Sequence, residues 1–486
     1  MEGVKRTRKE YETIKSHCTE FMKTRRDCPA TIPNVAAVIL LPIFCLLLTS
    51  GCAGHKQYRT TLSVCADTNA PDFPKAALER TPKYLLGFVE FDDQGWLWSR
   101  PQMDAVLKEI KQEMGPNHEK GVLLFTFVHG WKNNAAYDNE NVQEVRETLN
   151  YLADVEIKQA KANGVTPRKL VGVYVGWRGL TQKLWAVKQT TFWGRKRTGH
   201  EVGRGALTEL LLRLEAMVNE SKAAAKAAGD RVPGERPAMS RLLIVGHSFG
   251  AGATYSAVAP LYLERMLVPH HVNEGAATTR GFGDLVVLVN PAFEAARFQV
   301  LRDAASSLRT DGTRQDQLLN LAIFTSKGDT ATKNLFPIGR FFSTLFQSHQ
   351  TNGQHRANKT AVGHYRKFVT HDLVPQAKGA WKRDQKSKDQ QAQQANYDEK
   401  IRTAQEAVQA RRKQFRDATD LREVFQVEQI YGSTRLKPRR DAEPSPFIVA
   451  QVDTDLVPNH NNISREQFTT FLRLFMLSFA AEDERR

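Results

Sequence analysis

Short, unbroken apolar runs recur along the chain, bounded by Gly, Pro, Asn or Asp, and alternate with longer stretches of helical spacing. Residues 121–128, 170–176, 242–245, 284–290, 319–325 and 446–452 have the length and composition of buried strands. Residues 101–114, 141–162, 209–219, 255–266 and 466–479 carry apolar positions at helical spacing. Strand, helix and strand in succession require right-handed crossovers and a parallel sheet. Residues 84–90 and 96–98, either side of Asp92-Asp93-Gln94-Gly95, predict an edge hairpin. The expected class is therefore α/β, with a mostly parallel central sheet and helices on both faces.

Polar stretches separate these elements. Residues 52–81 predict a tether, and residues 221–237 a polar linker. Residues 177–200 form a long loop with Trp185, Phe192, Trp193 and Arg195-Lys196-Arg197, either a lid or a surface excursion whose aromatics pack down. Residues 335–346, with Phe336, Phe341, Phe342 and Phe346, are either a second lid or a helix packed on the body. Residues 373–440 predict a charged, solvated helical or partly disordered insertion before the last strand. The body is thus expected over 82–372 and 441–486.

Candidate chemistry centres on Gly246-His247-Ser248-Phe249-Gly250, a G-x-S-x-G spacing between a short apolar strand and a helix. Such a serine sits on a sharp strand-to-helix turn, and a Cβ at Gly246 or Gly250 would collide with the crossing backbone. This stretch resembles the nucleophile elbow of the α/β-hydrolase superfamily. That resemblance implies the superfamily's fold and its parts in chain order. His129-Gly130 after strand 121–128 matches the oxyanion loop, so the amides of Trp131 and Phe249 are the implied oxyanion donors and Gly130 the turn glycine. Asp329, at the end of strand 319–325, is the implied acid; Glu294, one strand earlier, is its reserve, and either residue also suits a turn or helix cap. His460, between the last strand and the closing helix, is the implied base, ahead of His349, His355, His364 and His371. His247 is expected to pack or to support the oxyanion loop.

The N-terminal region adds an address. Lys23, Arg25 and Arg26 precede an apolar run at 35–48, followed by Thr49-Ser50-Gly51-Cys52. A basic flank, short apolar segment and small residues predict a secretory signal over residues 1–51, with Met22 as the expected start. Ser-Gly-Cys resembles a bacterial lipobox, which implies cleavage before Cys52, its lipidation and anchoring to a membrane of the cell envelope; an uncleaved anchor helix is the alternative. Of the five cysteines only Cys65 lies beyond Cys52, so no intramolecular disulfide is expected in the mature chain.

Formal net charge is +16, and residues 373–440 alone hold 16 Lys+Arg against 9 Asp+Glu. Much of the excess therefore belongs to one segment, which argues against a nucleic-acid partner. No metal-type cysteine cluster, phosphate loop or dinucleotide fingerprint occurs, so neither cofactor nor metal is expected. The expected function is serine hydrolysis of an acyl ester in a small molecule or lipid, with amide or thioester cleavage open. The alternative is an envelope lipoprotein that binds or scaffolds on the same fold without turnover.

Overall fold

The computed structural model describes residues 54–117, 120–180, 192–228, 239–268, 281–310, 320–344, 347–377, 390–417, 425–443 and 445–480. Twelve strands form one sheet. In chain order they are β1 (Thr61–Cys65), β2 (Ala76–Arg80), β3 (Tyr84–Phe91), β4 (Val122–Val128), β5 (Lys169–Trp177) and β6 (Arg241–His247). The second half comprises β7 (Leu285–Val289), β8 (Leu321–Ser326), β9 (His371–Pro375), β10 (Gln429–Tyr431), β11 (Thr434–Pro438) and β12 (Ile448–Val452). Their spatial order is β1-β2-β3-β5-β4-β6-β7-β8-β12-β9-β11-β10. From β3 to β9 every neighbouring pair is parallel; β2 runs antiparallel to β3, and β11 antiparallel to β9 and β10. β4, β6 and β7 are buried along their whole lengths, as strands covered on both faces must be.

Helices cover both faces. α1 (Arg100–Met114) starts at Ser99, whose hydroxyl accepts from the Gln102 amide, and ends at Gly115 with φ 82°. α2 (Glu140–Asn163) is capped by Asn139 and closed by Gly164 at φ 65°. α3 (Phe192–Arg204), α4 (Ala206–Ala228), α5 (Phe249–Leu267), α6 (Ala295–Thr310), α7 (Phe336–Ser343), α8 (Asn352–Lys359), α9 (Gln390–Asp417) and α10 (Glu466–Ala480) complete the described set. Side chains of α1, α4, α5 and α6 join one hydrophobic layer of the sheet, and those of α2, α9 and α10 join the other. None of these helices is long and apolar enough to cross a membrane.

Five segments differ from the sequence-based expectation. The stretch expected as a tether enters the sheet as β1 and β2. Arg59 within it is fully buried: its Nε donates to the Ala135 carbonyl at 2.7 Å and its Nη1 to Glu79 at 2.8 Å, while its guanidinium lies 3.7 Å from the Phe88 ring centroid. β3 is consequently an interior strand, and the expected edge hairpin shrinks to a turn with a single Phe91–Leu97 bridge. The expected loop 177–200 contains the start of α3. Gly199 and Gly203 let this helix approach α5, since a Cβ on Gly203 would lie 2.2 Å from the Ala253 carbonyl oxygen. The expected linker from 221 is helical to Ala228.

The charged insertion is also more than an exposed arm. It supplies most of β9 and all of β10 and β11, and α9 turns Ile401, Ala404 and Val408 onto the body against α2 and α10. These positions are spaced i, i+3 and i+7, one narrow helical stripe rather than a heptad series.

Removing Arg59 tests whether residues 54–81 belong to the folded body. Arg59→Leu removes one of the two guanidinium groups that hold buried Glu79, Arg146 being the other, and should cost roughly 1–3 kcal/mol in urea unfolding. An unchanged transition would mean that the segment is a tether after all.

Candidate active site

The turn after β6 is held by sterics. Ser248 has φ 56° and ψ −117°, a conformation costly for any residue with a Cβ. Its amide donates to Val289 O at 2.9 Å, its carbonyl accepts from the Ala292 amide at 3.2 Å, and α5 begins at the next residue. A Cβ on Gly250 would come within 2.2 Å of Val128 O, and one on Gly246 within 2.7 Å of Ala251 Cα. Gly130 lies against the serine itself, where an added Cβ would be 2.8 Å from Ser248 Cβ. These contacts bring the loop after β4, with Trp131, to the start of α5, where Phe249 follows the serine.

The loop after β12 delivers His460. Its Nε2 lies 2.6 Å from Ser248 Oγ and its Nδ1 2.7 Å from Asp329 Oδ2. Because a carboxylate only accepts, Nδ1 carries the proton, and Nε2 is left to accept from the serine hydroxyl. Ser248 and Asp329 are fully buried and His460 is 7% exposed. The loop is pinned at its backbone: His460 O accepts from Asn290 Nδ2 at 2.9 Å and from His247 Nε2 at 3.2 Å. Asn290 adopts φ 45° at the end of β7, and its Oδ1 accepts from the Ser326 amide at 2.9 Å.

Asp329 is itself surrounded by donors. Burial alone would raise its pKa, but His460 and Thr332 outweigh this and hold the carboxyl below its usual range. The Thr332 amide donates to Oδ1 at 3.0 Å and the Thr332 hydroxyl to Oδ2. With that hydroxyl proton committed, His364 Nε2, 3.0 Å from Thr332 Oγ1, must be a donor. A chain of hydrogen bonds thus runs from His364 through Thr332 to the face of Asp329 that His460 also uses.

The remaining candidate residues have other partners. Glu294 pairs with Lys196 and with Arg340, the latter at 3.0 Å, rather than with a histidine. His371 Nε2 bonds Phe425 O at 2.9 Å, and His349 Nε2 bonds Asn358 at 3.0 Å. His129 Nε2 accepts from the Trp177 amide at 3.0 Å, so its Nδ1 donates to Gly130 O at 2.8 Å. Phe336 is buried beneath Lys196, whose Nζ is 4.7 Å from the ring centroid. Cys52, Trp185 and Phe346 lie outside the described residues, as do the side chains of Phe192, Trp193, Phe341 and Phe342. Among the described residues no group of three His, Cys, Asp or Glu side chains could hold a metal ion.

Thr332 and Asn290 escaped the sequence reading, and His364, weighed there as a rival base, bonds Thr332 instead. Thr332 stood three residues after Asp329, the spacing of a carboxylate capping the next turn. Asn290 stood before Pro291 at a strand end, where an Asn tolerates positive φ.

No protein-family model matches the chain, and no curated protein matches it. The solved structures similar to it include an uncharacterized protein from Pseudomonas aeruginosa, at 13% identity and a TM-score of 0.23 over 47% of this chain. The match spans 39% of that protein's length.

Two buried imidazoles make stability pH-dependent. Burial lowers His129 to about 4 and His247 to about 3, the nearby His460 lowering the latter further. Both depressed values lie below the unfolded value of about 6.5. Their contribution is therefore complete above about pH 6.5, and is lost as the unfolded chain takes up protons that the folded chain refuses. Urea unfolding followed from pH 7 to pH 4.5 should show stability falling with a limiting slope of at least roughly 3 kcal/mol per pH unit, since burial depresses His200, His364 and His371 as well. A flat profile over that range would contradict the buried, neutral assignment.

Proposed function

We propose that the chain is a serine hydrolase of the α/β-hydrolase type that cleaves acyl esters through a covalent acyl-enzyme. The observation that carries this reading is the Ser248–His460–Asp329 alignment, with bonds of 2.6 and 2.7 Å, on a strained turn between β6 and α5. The strand order supports it as well. From β2 to β12 the sheet runs 2-3-5-4-6-7-8-12, with serine, acid and histidine following β6, β8 and β12. Each functional group thus leaves the same end of a parallel sheet.

In this mechanism His460 Nε2 takes the proton of Ser248 Oγ as the oxygen attacks the ester carbonyl carbon. Negative charge moves to the carbonyl oxygen, which the amides of Trp131 and Phe249 stabilise. As the tetrahedral species collapses, the C–O bond to the leaving group breaks and His460 returns the proton to the departing alkoxide. A water then adds to the acyl-enzyme, giving its proton to His460, and collapse releases the carboxylic acid and restores Ser248. Asp329 stays ionised and holds His460 in the Nδ1–H tautomer; Thr332 and His364 hold Asp329.

Envelope anchoring at Cys52 belongs to the same proposal, supported by the Ser-Gly-Cys context and the apolar run before it. The buried Arg59 lies seven positions after Cys52. A fully extended chain of that length reaches no more than about 25 Å. A lipid on Cys52 would therefore leave no more than that length of chain between the anchor and Arg59.

Turnover of p-nitrophenyl acyl esters tests the reading. Ser248→Ala should abolish the acyl-enzyme burst, and Asp329→Asn should lower kcat about 10⁴-fold. Thr332→Val, which removes one hydrogen bond to a charged acceptor, should lower kcat about tenfold to a hundredfold with little change in KM. A folded wild-type protein that forms no acyl-enzyme with any chain length would favour a binding or scaffold role instead.

A further inference from the structure

A cavity lies apart from the Ser248 hydroxyl. It occupies about 600 Å³ between one face of the sheet and helices α2, α9 and α10. Close-packed interiors leave few voids larger than a water molecule, and this space falls within the roughly 300–1,000 Å³ of small-molecule sites. Its sheet-side wall is apolar, formed by Phe125 and Phe127 of β4, Val245 of β6 and Val289 of β7, and α10 adds Met476. None of Ser248, His460 and Asp329 lines it.

One polar group in the wall is unmatched. Arg473 of α10 donates from Nη2 to Thr148 Oγ1 at 3.1 Å, and its guanidinium lies 4.9 Å from the Tyr151 ring centroid. Its Nε is buried without a hydrogen-bond partner, and among the described residues no carboxylate stands within ion-pair distance. Burial lowers its pKa, the mark of a desolvated cation. The other charges around the cavity do not cancel it. Lys400 is paired with Glu466, Glu144 accepts from Asn141 Nδ2 at 2.9 Å and is pushed towards its neutral form by burial, and Glu147 and Glu466 act on Arg473 only from beyond ion-pair distance. A withdrawn guanidinium without a counter-ion costs several kcal/mol unless an anion joins it.

We propose that this cavity binds a long-chain carboxylate, with the alkyl chain along Phe125, Phe127, Val245, Val289 and Met476 and the carboxylate paired with Arg473. Planar guanidinium and planar carboxylate match in two parallel hydrogen bonds, which the two terminal nitrogens of Arg473 can supply together. The site does not depend on the hydrolase reading, since none of Ser248, His460 and Asp329 lines it. α9 forms its outer wall through Asn396, Tyr397 and Lys400, which gives the charged insertion a role in ligand binding.

The test uses the full-length protein and 11-(dansylamino)undecanoic acid as a fluorescent probe, with dodecanoate and dodecanol as competitors. Saturable probe binding is expected, with dodecanoate displacing it at least tenfold better than dodecanol. Arg473→Met, which keeps the stem but not the charge, should remove that preference. Thr469→Trp at the cavity wall should weaken probe binding at least tenfold, and Ser248→Ala should leave it unchanged. Equal competition by acid and alcohol in the wild type would overturn the proposal even if Arg473→Met did not fold. So would probe binding that is absent, or that is indifferent to both cavity substitutions.

Discussion

The backbone crossing at Ser248 sets the geometry of everything around it. β6 must turn into α5 in one residue, at φ 56°, with the end of β4 so close that a Cβ on Gly250 would come within 2.2 Å of Val128 O. Only hydrogen at Gly130, Gly246 and Gly250 leaves room for that crossing. The conformation is held by the body: the parallel pairing of β4, β6 and β7 fixes the strand ends, and the Ser248 amide and carbonyl are both tied to the β7 side. A buried sheet of this kind can store the strain of one residue because it cannot relax without breaking its ladders. The outcome is a hydroxyl aimed away from its own helix and towards a histidine 212 residues further on.

Hydrogen-bond saturation then fixes the electrostatics. Asp329 has no exposure to water, yet every donor around it favours the charged form. His460 is located as much by its carbonyl as by its ring, through Asn290 and His247. His247 and His129 remain neutral through burial, so no second positive charge competes with His460 for the carboxylate. One imidazole can therefore take up and return a proton while its neighbours act as fixed donors and acceptors.

The sequence revealed most about local sterics and apolar runs. The glycines around Ser248 were legible because the collision they avoid lies within a few residues, and Asp329 and His460 were legible because each follows an apolar strand. Buried charge was not. Arg59, Glu79 and Lys196 resemble solvated residues in the sequence, and their burial makes sense only with partners up to 98 positions away. β1 and β2 are short and partly polar, so they resemble a tether; yet they are what turns β3 into an interior strand. α9 hides a stripe of Tyr397, Ile401, Ala404 and Val408 inside a charged segment, too narrow for the periodicity to stand out. Polar composition marked where the surface would be dense in charge, but not which of those residues the body would reclaim.

The central claim is that Ser248 is a nucleophile activated by His460. Reaction of the folded protein with a fluorophosphonate, followed by mass mapping of the modified peptide, tests it most directly. The adduct should fall on Ser248 in the wild type and be absent from His460→Ala when circular dichroism shows that the variant is folded. A folded wild-type protein left unmodified at Ser248, or modified equally well without His460, would contradict the account.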